Sequence, residues 1–218
     1  MSTSESSNCP NCRAELKSGL MSSNKMLSEA KTKVINEYHE PKSECYCGKC
    51  GKELYDKYRS KVISDTYKTT DKIQALIHSI PVISCHSPLH WDYDILQMVT
   101  GQSTTGTGVI SEFTSSFTDL FGAQSGRYNN KLKAGENLCY AQLRKQTLDL
   151  GGNAVIATDI DYAELGAEKG MIMVCMSGTA IRLKNLEVLG ANKSQLIAEL
   201  IDAHERYIHL MQCNIEEQ

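Results

Sequence analysis

Apolar residues along this chain recur with two different periods, and the places where the period changes mark its elements. Met26, Leu27, Ala30, Val34 and Tyr38 keep helical spacing and predict a helix over about residues 22–38. Ile73, Leu76, Ile77 and Ile80 do the same until Pro81 stops the pattern, so a helix or helix pair is expected between 54 and 80. Val82 and Ile83 suggest a short strand, and Ser87-Pro88 a turn. Ile95–Thr100 reads as an edge-compatible strand that Gly101, Gly106 and Gly108 bend or bulge. A helix then starts near Ser111 with Phe113, Phe117, Leu120 and Phe121 on one face. A second runs from Gly126 to Leu150, carries Tyr128, Leu132, Cys139, Leu143 and Leu150 along a stripe, and stops at Gly151-Gly152.

Strand alternation takes over at Asn153–Tyr162. Ala154, Ile156, Thr158, Ile160 and Tyr162 are expected on one face, and Val155, Ala157, Asp159 and Asp161 on the other. A returning strand, Met171–Leu183, puts Met171, Met173, Cys175 and Ser177 on one side. Helical spacing resumes over 192–212, where Leu196, Ile197, Leu200, Ile201, His204, Ile208 and Met211 form an apolar stripe that holds His204 as a packed residue. The fold class is α+β. The core is β-α-β-β, with an antiparallel sheet and a helical layer, over residues 81–190. Before it come a small zinc-ribbon-like module with a helical insertion (1–52) and a helical connector (53–80); behind it lies an amphipathic helix (191–218). One helical layer on a three-stranded sheet leaves the second sheet face bare, and 153–162 is apolar enough on both faces to predict cover by copies of the chain.

Composition narrows the function classes. The 218 residues are 41% hydrophobic and 22% charged, ordinary for a globular protein, and the net charge of -3 gives no electrostatic case for nucleic acid. The basic residues of 52–72 alternate with Glu53, Asp56, Asp65 and Asp71, which reads as a solvated face. No apolar run approaches the roughly 20 residues a membrane helix needs, and the polar N-terminus lacks a secretory h-region. A cytoplasmic, reducing location is expected.

Against that background the nine cysteines point to metal. Cys9-Pro-Asn-Cys12 is answered by Cys47-Gly-Lys-Cys50, and two such pairs supply four thiolates for one tetrahedral ion. Gly48 and Gly51 are expected to adopt positive φ and turn backbone N–H groups toward the sulfurs. Structural Zn²⁺ is the cofactor this spacing predicts, since four thiolates leave no open position for catalysis. Cys45 offers a substitute fifth thiolate, and His39 reads as a surface residue. A thioredoxin-like dithiol would want a βαβ context that the front end lacks.

Three other constellations remain. Cys85, His86, His90 and Asp92 fall close together, but Pro88 prevents a shared helical face, so loop packing around Trp91 and Tyr93 is the preferred account. Cys139 lies on a helix stripe as a small hydrophobe. Asp159 and Asp161 share a strand face about 7 Å apart. With Met173 and Cys175 they could converge on a second metal if Asp159 pairs with Cys175; the favoured rival keeps them as carboxylates at a subunit seam, bonded to backbone N–H or to Arg127. An enzyme built on Cys85 or Cys139 with His86 or His90, or on the aspartate pair, is the competing class; a nucleic-acid-binding ribbon is the third. None of the glycines has phosphate-loop spacing.

Val99-Thr-Gly, Ser125-Gly-Arg-Tyr, Leu150-Gly-Gly-Asn-Ala-Val-Ile, Asp159-Ile-Asp-Tyr and Ser177-Gly-Thr-Ala180 together resemble the YbjQ family of heavy-metal-binding domains over roughly residues 95–185. The resemblance implies a dodecin-like β-α-β-β fold and ring-shaped homopentamers, and it brings no catalytic residues with it. A non-enzymatic, oligomeric metal-binding protein follows, with ribbons displayed around a ring, where multivalency would strengthen contacts to a protein partner.

Overall fold

The structure is a computed structural model, and it describes residues 8–18, 23–104, 126–165 and 171–214. The predicted helix at 111–121, Gly106 and Gly108 lie outside the described residues, and so do the side chains of Arg127 and Tyr128. The chain is α+β and divides into two compact units, residues 74–202 and residues 1–73 with 203–218. The C-terminal helix therefore contributes to both.

In the first unit, 74–202, β3 (Tyr93–Thr104), α3 (Gly126–Asp149), β4 (Ala154–Leu165) and β5 (Met171–Leu183) follow one another, and the sheet order is β3-β5-β4, antiparallel throughout. The strand at 95–100 is thus longer than its apolar pattern, because polar Gln102 and Thr104 keep pairing with β5. Its register slips between Ile95 and Gln97, earlier than the glycines suggested. α3 lies on one face and closes a core of Val99, Cys139, Leu143, Val155, Ile172, Val174, Met176 and Ala180. Gly101 lets the layers approach: a Cβ there would stand 2.8 Å from Cys139 Cα and 2.8 Å from its carbonyl oxygen. Across that contact the Gln142 amide brackets the Gln102 backbone (N–H to Oε1 2.7 Å, Nε2 to carbonyl 3.1 Å) and Gln146 does the same for Thr100 (3.2 and 2.6 Å). Two glutamines one helical turn apart thereby occupy the outward groups of an edge strand that would otherwise invite another strand.

A bulge in β4 corrects the predicted alternation. Ile156 pairs with Thr179 but Asp159 with Ser177, so one extra residue is accommodated around Ala157, whose φ is +52. Val155 and Ile160 consequently share the α3 side, with Tyr162 donating to Glu136 of α3 at 2.7 Å. Ala154 and Ile156 face the other way.

That second face is not bare. Ile83, Trp91 and Tyr93 cover Ala154, Ile156 and Ile181, and Val82 makes a parallel bridge to Val155. Beyond this cover the face carries Met98, Thr100, Gln102, Asp159, Asp161, Cys175 and Ser177, which is largely polar. Part of the apolar surface is thus covered within the chain, while Met98 stays 64% exposed. Leu150, expected on the α3 stripe, is exposed; Thr147 and Leu148 are buried instead, because the drift of a 3.6-residue repeat moves the last turn off the core.

In the other unit, β1 (Lys17–Ser18) pairs with β2 (Ser23–Asn24), two residues in each strand, followed by α1 (Glu29–Asn36) and α2 (Gly48–Leu76). α1 starts at Ser28, whose hydroxyl accepts the Lys31 N–H, and is shorter than the 22–38 pattern. Met26 instead bridges to Cys47. α2 begins inside the second cysteine pair, well before the predicted connector. α4 (Ala191–Asn214) buries Ile197, Leu200, Ala203, Leu210 and Cys213, whereas Ile208 of the predicted stripe is 45% exposed. Val34, Val62, Leu210 and Cys213 pack together with Tyr38, Tyr55 and Tyr58 around them.

Candidate metal centre

The backbone brings two chain segments to one point. The Cys9 carbonyl accepts the Arg13 N–H at 2.8 Å and the Cys9 N–H donates to Ala14, closing a tight turn that points Cys9 and Cys12 the same way. The positive φ this turn needs is at Arg13 (+61) and not at Gly48 or Gly51, which are helical. Gly51 serves packing: a Cβ there would meet Leu27 Cδ1 at 2.5 Å and Tyr46 Cβ at 2.8 Å. The other pair sits at the start of α2. Asn24 holds the two segments together, its amide donating to the Glu15 carbonyl at 3.0 Å and its oxygen accepting the Lys49 N–H at 3.3 Å.

The four sulfurs of Cys9, Cys12, Cys47 and Cys50 lie within 4.8 Å of one another, with Cys9–Cys50 and Cys47–Cys50 at 3.8 Å and Cys12–Cys47 at 3.7 Å. Sulfurs bonded to each other would be about 2.05 Å apart. Around a tetrahedral ion with a metal–sulfur bond near 2.3 Å, the edge between sulfurs is about 3.8 Å. The donor set fits a thiolate-binding ion in size and chemistry. Burial works against ionising Cys47, but N–H groups of Cys50 and Lys49 at the helix start, with the Asn24 amide, outweigh it and bring the thiol down to about 6. Burial pushes Cys50 up to about 12, and the Cys12 and Cys9 thiols add to the rise. A thiolate forms readily at Cys47, whereas Cys50 needs a cation beside it.

Cys45 stands outside the group of four, half-buried, two residues before Cys47. His39 is half-buried against Tyr46 and Tyr58, with Nδ1 3.3 Å from the Tyr58 hydroxyl, so the surface assignment is corrected: the helix end folds it into the tyrosine cluster.

The remaining candidates are spread out. Cys85, His86 and His90 are exposed in the loop before β3, and they form no group of three donors within 4.8 Å among the described residues. Cys139 is fully buried, donates toward the Val174 carbonyl at 3.4 Å, and is pushed up to about 11 by burial, the opposite of an activated nucleophile. The hairpin register pairs Asp161 with Cys175 and Asp159 with Ser177, two residues from the register proposed for convergence. A shift of two preserves the face, so Asp159, Asp161 and Cys175 share the side away from α3. Their donors do not form a group within 4.8 Å.

Residues 91–184 match the model of a family described as "Putative heavy-metal-binding" (YbjQ). A UPF0145 protein of Anoxybacillus flavithermus is 37% identical over 89 residues, 41% of this chain and 83% of its own length. Another from Geobacillus kaustophilus is 37% identical over 92 residues, 42% of this chain and 86% of its own. The chain belongs to the YbjQ family. The match to a solved structure of a protein with unknown function from Pediococcus pentosaceus covers 48% of this chain and 98% of that one at 13% identity, with a TM-score of 0.36. The YbjQ match includes Cys139, Asp159, Asp161 and Cys175 and leaves the four clustered thiols outside it. Among the described residues no helix is long and apolar enough to cross a membrane.

One further donor group joins parts of the chain that sequence spacing leaves unrelated: Glu37, His209 and Cys213. The only sequence signal for it is the i,i+4 spacing of His209 and Cys213 on α4. Glu37 lies far upstream and has no local pattern.

Proposed function

We propose that this YbjQ-family protein is a non-enzymatic, oligomeric metal-binding protein in which structural Zn²⁺ is held by Cys9, Cys12, Cys47 and Cys50. The observation that carries the reading is the gathering of all four sulfurs within 4.8 Å of one another, three of the pairs at 3.7–3.8 Å, the edge length of a tetrahedral zinc. Bound zinc would supply folding free energy to a small front module whose hairpin has only two residues per strand. The zinc-ribbon-like description suits the Cys9–Cys12 knuckle and its hairpin; the second pair stands on a helix start instead of a second knuckle.

For the core, the family description favours a heavy-metal site, with Asp161 opposite Cys175 and Asp159 two residues along the same face as its candidate donors. A dodecin-like assembly, as a homopentamer, is the proposed quaternary state, and the front modules displayed around it would engage a protein partner in the cytoplasm. The burial of Cys139 supports a non-enzymatic reading over thiol catalysis.

Metal analysis of the purified full chain, combined with mass in solution, tests these points together. The wild type is expected to hold one zinc at the four cysteines, an ion that Cys9→Ser and Cys47→Ser lose, in a particle of five chains. A protein purified without metal that refuses added Zn²⁺ refutes the zinc assignment, and a lone subunit at micromolar concentration refutes the assembly.

A further inference from the structure

In the unit that holds the four-thiol cluster, the end of α1 and the last turns of α4 enclose an open cleft of ≈ 490 Å³ lined by Lys33, Glu37, Lys42, His209 and Cys213. At its base the donor atoms of Glu37, His209 and Cys213 all lie within 4.8 Å of one another. His209 and Cys213 are one turn apart on α4, the spacing that puts two ligands on the same helix face. Glu37 reaches them from the C-cap of α1. We propose that these three side chains form a second metal site, independent of the four cysteines, which takes a borderline divalent ion such as Zn²⁺ and ties α1 to α4.

The donor chemistry selects the ion class. One thiolate, one imidazole and one carboxylate mix soft, borderline and hard ligands, a set that suits Zn²⁺ or Co²⁺ and is poor for Ca²⁺ or Mg²⁺. Three protein ligands leave one tetrahedral position, unlike the saturated four-thiolate site. The cleft beside it is lined by Lys42 and by Lys33, which is itself paired with Glu29 at 3.3 Å, so water is the fourth ligand at hand.

The arrangement is prepared on its carboxylate side. Arg206 pairs with Oε1 of Glu37 and leaves Oε2 for His209, whose Nε2 is 2.7 Å away. The Glu37 side chain is only 13% exposed, and Arg206 also donates to Tyr38 at 3.0 Å, so the carboxylate is fixed by a partner that itself is fixed. An ion entering between Oε2 and Nε2 replaces the proton they share, and their separation must open by about half an ångström to suit bonds of 2.0–2.1 Å to each. His209 is 55% exposed, so its ring can make that shift without disturbing the core, and Cys213 supplies the thiolate from the buried side of the helix.

Co²⁺ and Zn²⁺ titrations of the metal-free full chain test the site. Two ions per chain are expected in the wild type. His209→Gln and Glu37→Gln, one an exposed substitution and the other isosteric, each lower the count to one, with the strong thiolate-to-cobalt absorption of the four-cysteine site unchanged. Cys213→Ser does the same and removes a weaker thiolate band of the second ion. A wild type that stops at one ion with the four-thiolate spectrum overturns the proposal, as does a second ion that persists in His209→Gln. If instead the four-thiolate spectrum is missing but one ion is lost in His209→Gln, the zinc reading fails and this site stands. Circular dichroism in excess chelator, matching between wild type and His209→Gln, shows that the lost ion reflects a lost ligand and not a lost fold.

Discussion

Gly101→Ala probes the contact that seats α3 on the sheet. The new Cβ would stand 2.8 Å from Cys139 Cα, 2.8 Å from the Cys139 carbonyl oxygen and 2.9 Å from Leu143 Cδ1. Two of those atoms are backbone, so a rotamer change cannot relieve them, and β3 and α3 must part by roughly 0.5–1 Å to restore ordinary carbon contact distances. Overpacking of this kind costs about 1–3 kcal/mol. The same displacement stretches the Gln142 and Gln146 bonds to the edge strand, now 2.6–3.2 Å, toward the limit at which they count as hydrogen bonds. Their partial loss adds about 1 kcal/mol, since exposed bonds are replaced by water. The chain's single tryptophan, Trp91, packs on Ala154, Ile156 and Ile181 of the same sheet, so its fluorescence in urea reports this unit. A lowered urea midpoint, corresponding to about 2–4 kcal/mol, is expected, together with faster amide exchange at Thr100 and Gln102. A second substitution, Leu143→Ala, should fail to rescue it because the backbone contacts persist. A variant within about 0.5 kcal/mol of wild type, the range of neutral surface changes, with both amides still protected, would refute the tight-seat reasoning.

Three further outcomes follow from the geometry. Cys45→Ser should keep one four-sulfur ion whereas Cys47→Ser loses it, and X-ray absorption on the zinc-loaded Cys213→Ser chain should give four sulfurs at about 2.3 Å; mixed nitrogen or oxygen ligation there would contradict the sulfur edges. Asn153→Ala should destabilise the unit by about 1–3 kcal/mol in Trp91-monitored urea unfolding, because the buried Asn153 amide pairs with both the N–H and carbonyl of Leu183, at 2.7 and 2.9 Å; an unchanged midpoint would mean that water replaces it. Tyr38 donates to Asp65 at 2.6 Å, a bond that holds the Asp65 carboxyl below its usual range, while burial and the same bond hold the Tyr38 proton above its own. The lowered carboxyl contributes stability above the unfolded value near 4 and loses it as pH falls through the folded one; the raised phenol contributes below about 10 and loses it as pH rises. Tyr38→Phe, compared with wild type in chelator by circular dichroism, should therefore cost about 1 kcal/mol near pH 7 and progressively less toward either extreme, and a pH-independent difference would sink the assignment.

The two cysteine pairs, the β-α-β-β order and the C-terminal helix were all readable from the chain, because each is written in local spacing: x-x turns for thiolates, period two for strands, 3.6 for helices. So was the burial of Cys139. Tertiary structure decided what local spacing leaves degenerate. Bringing the Cys47 pair to the Cys9 pair depended on where α2 begins, and there Asn24 accepts the Lys49 N–H from a hairpin more than 20 residues upstream. The facing of Ile156 and Ile160 depended on a bulge of one residue in β4, and alternation has no memory of such an insertion. Cover for the second sheet face came from Ile83, in a stretch read as a short strand, and from Trp91 and Tyr93, read as loop packing. The Glu37–His209–Cys213 group arises from contacts between the two ends of the chain, where periodicity carries no information and only the packing of α1 against α4 brings the donors together.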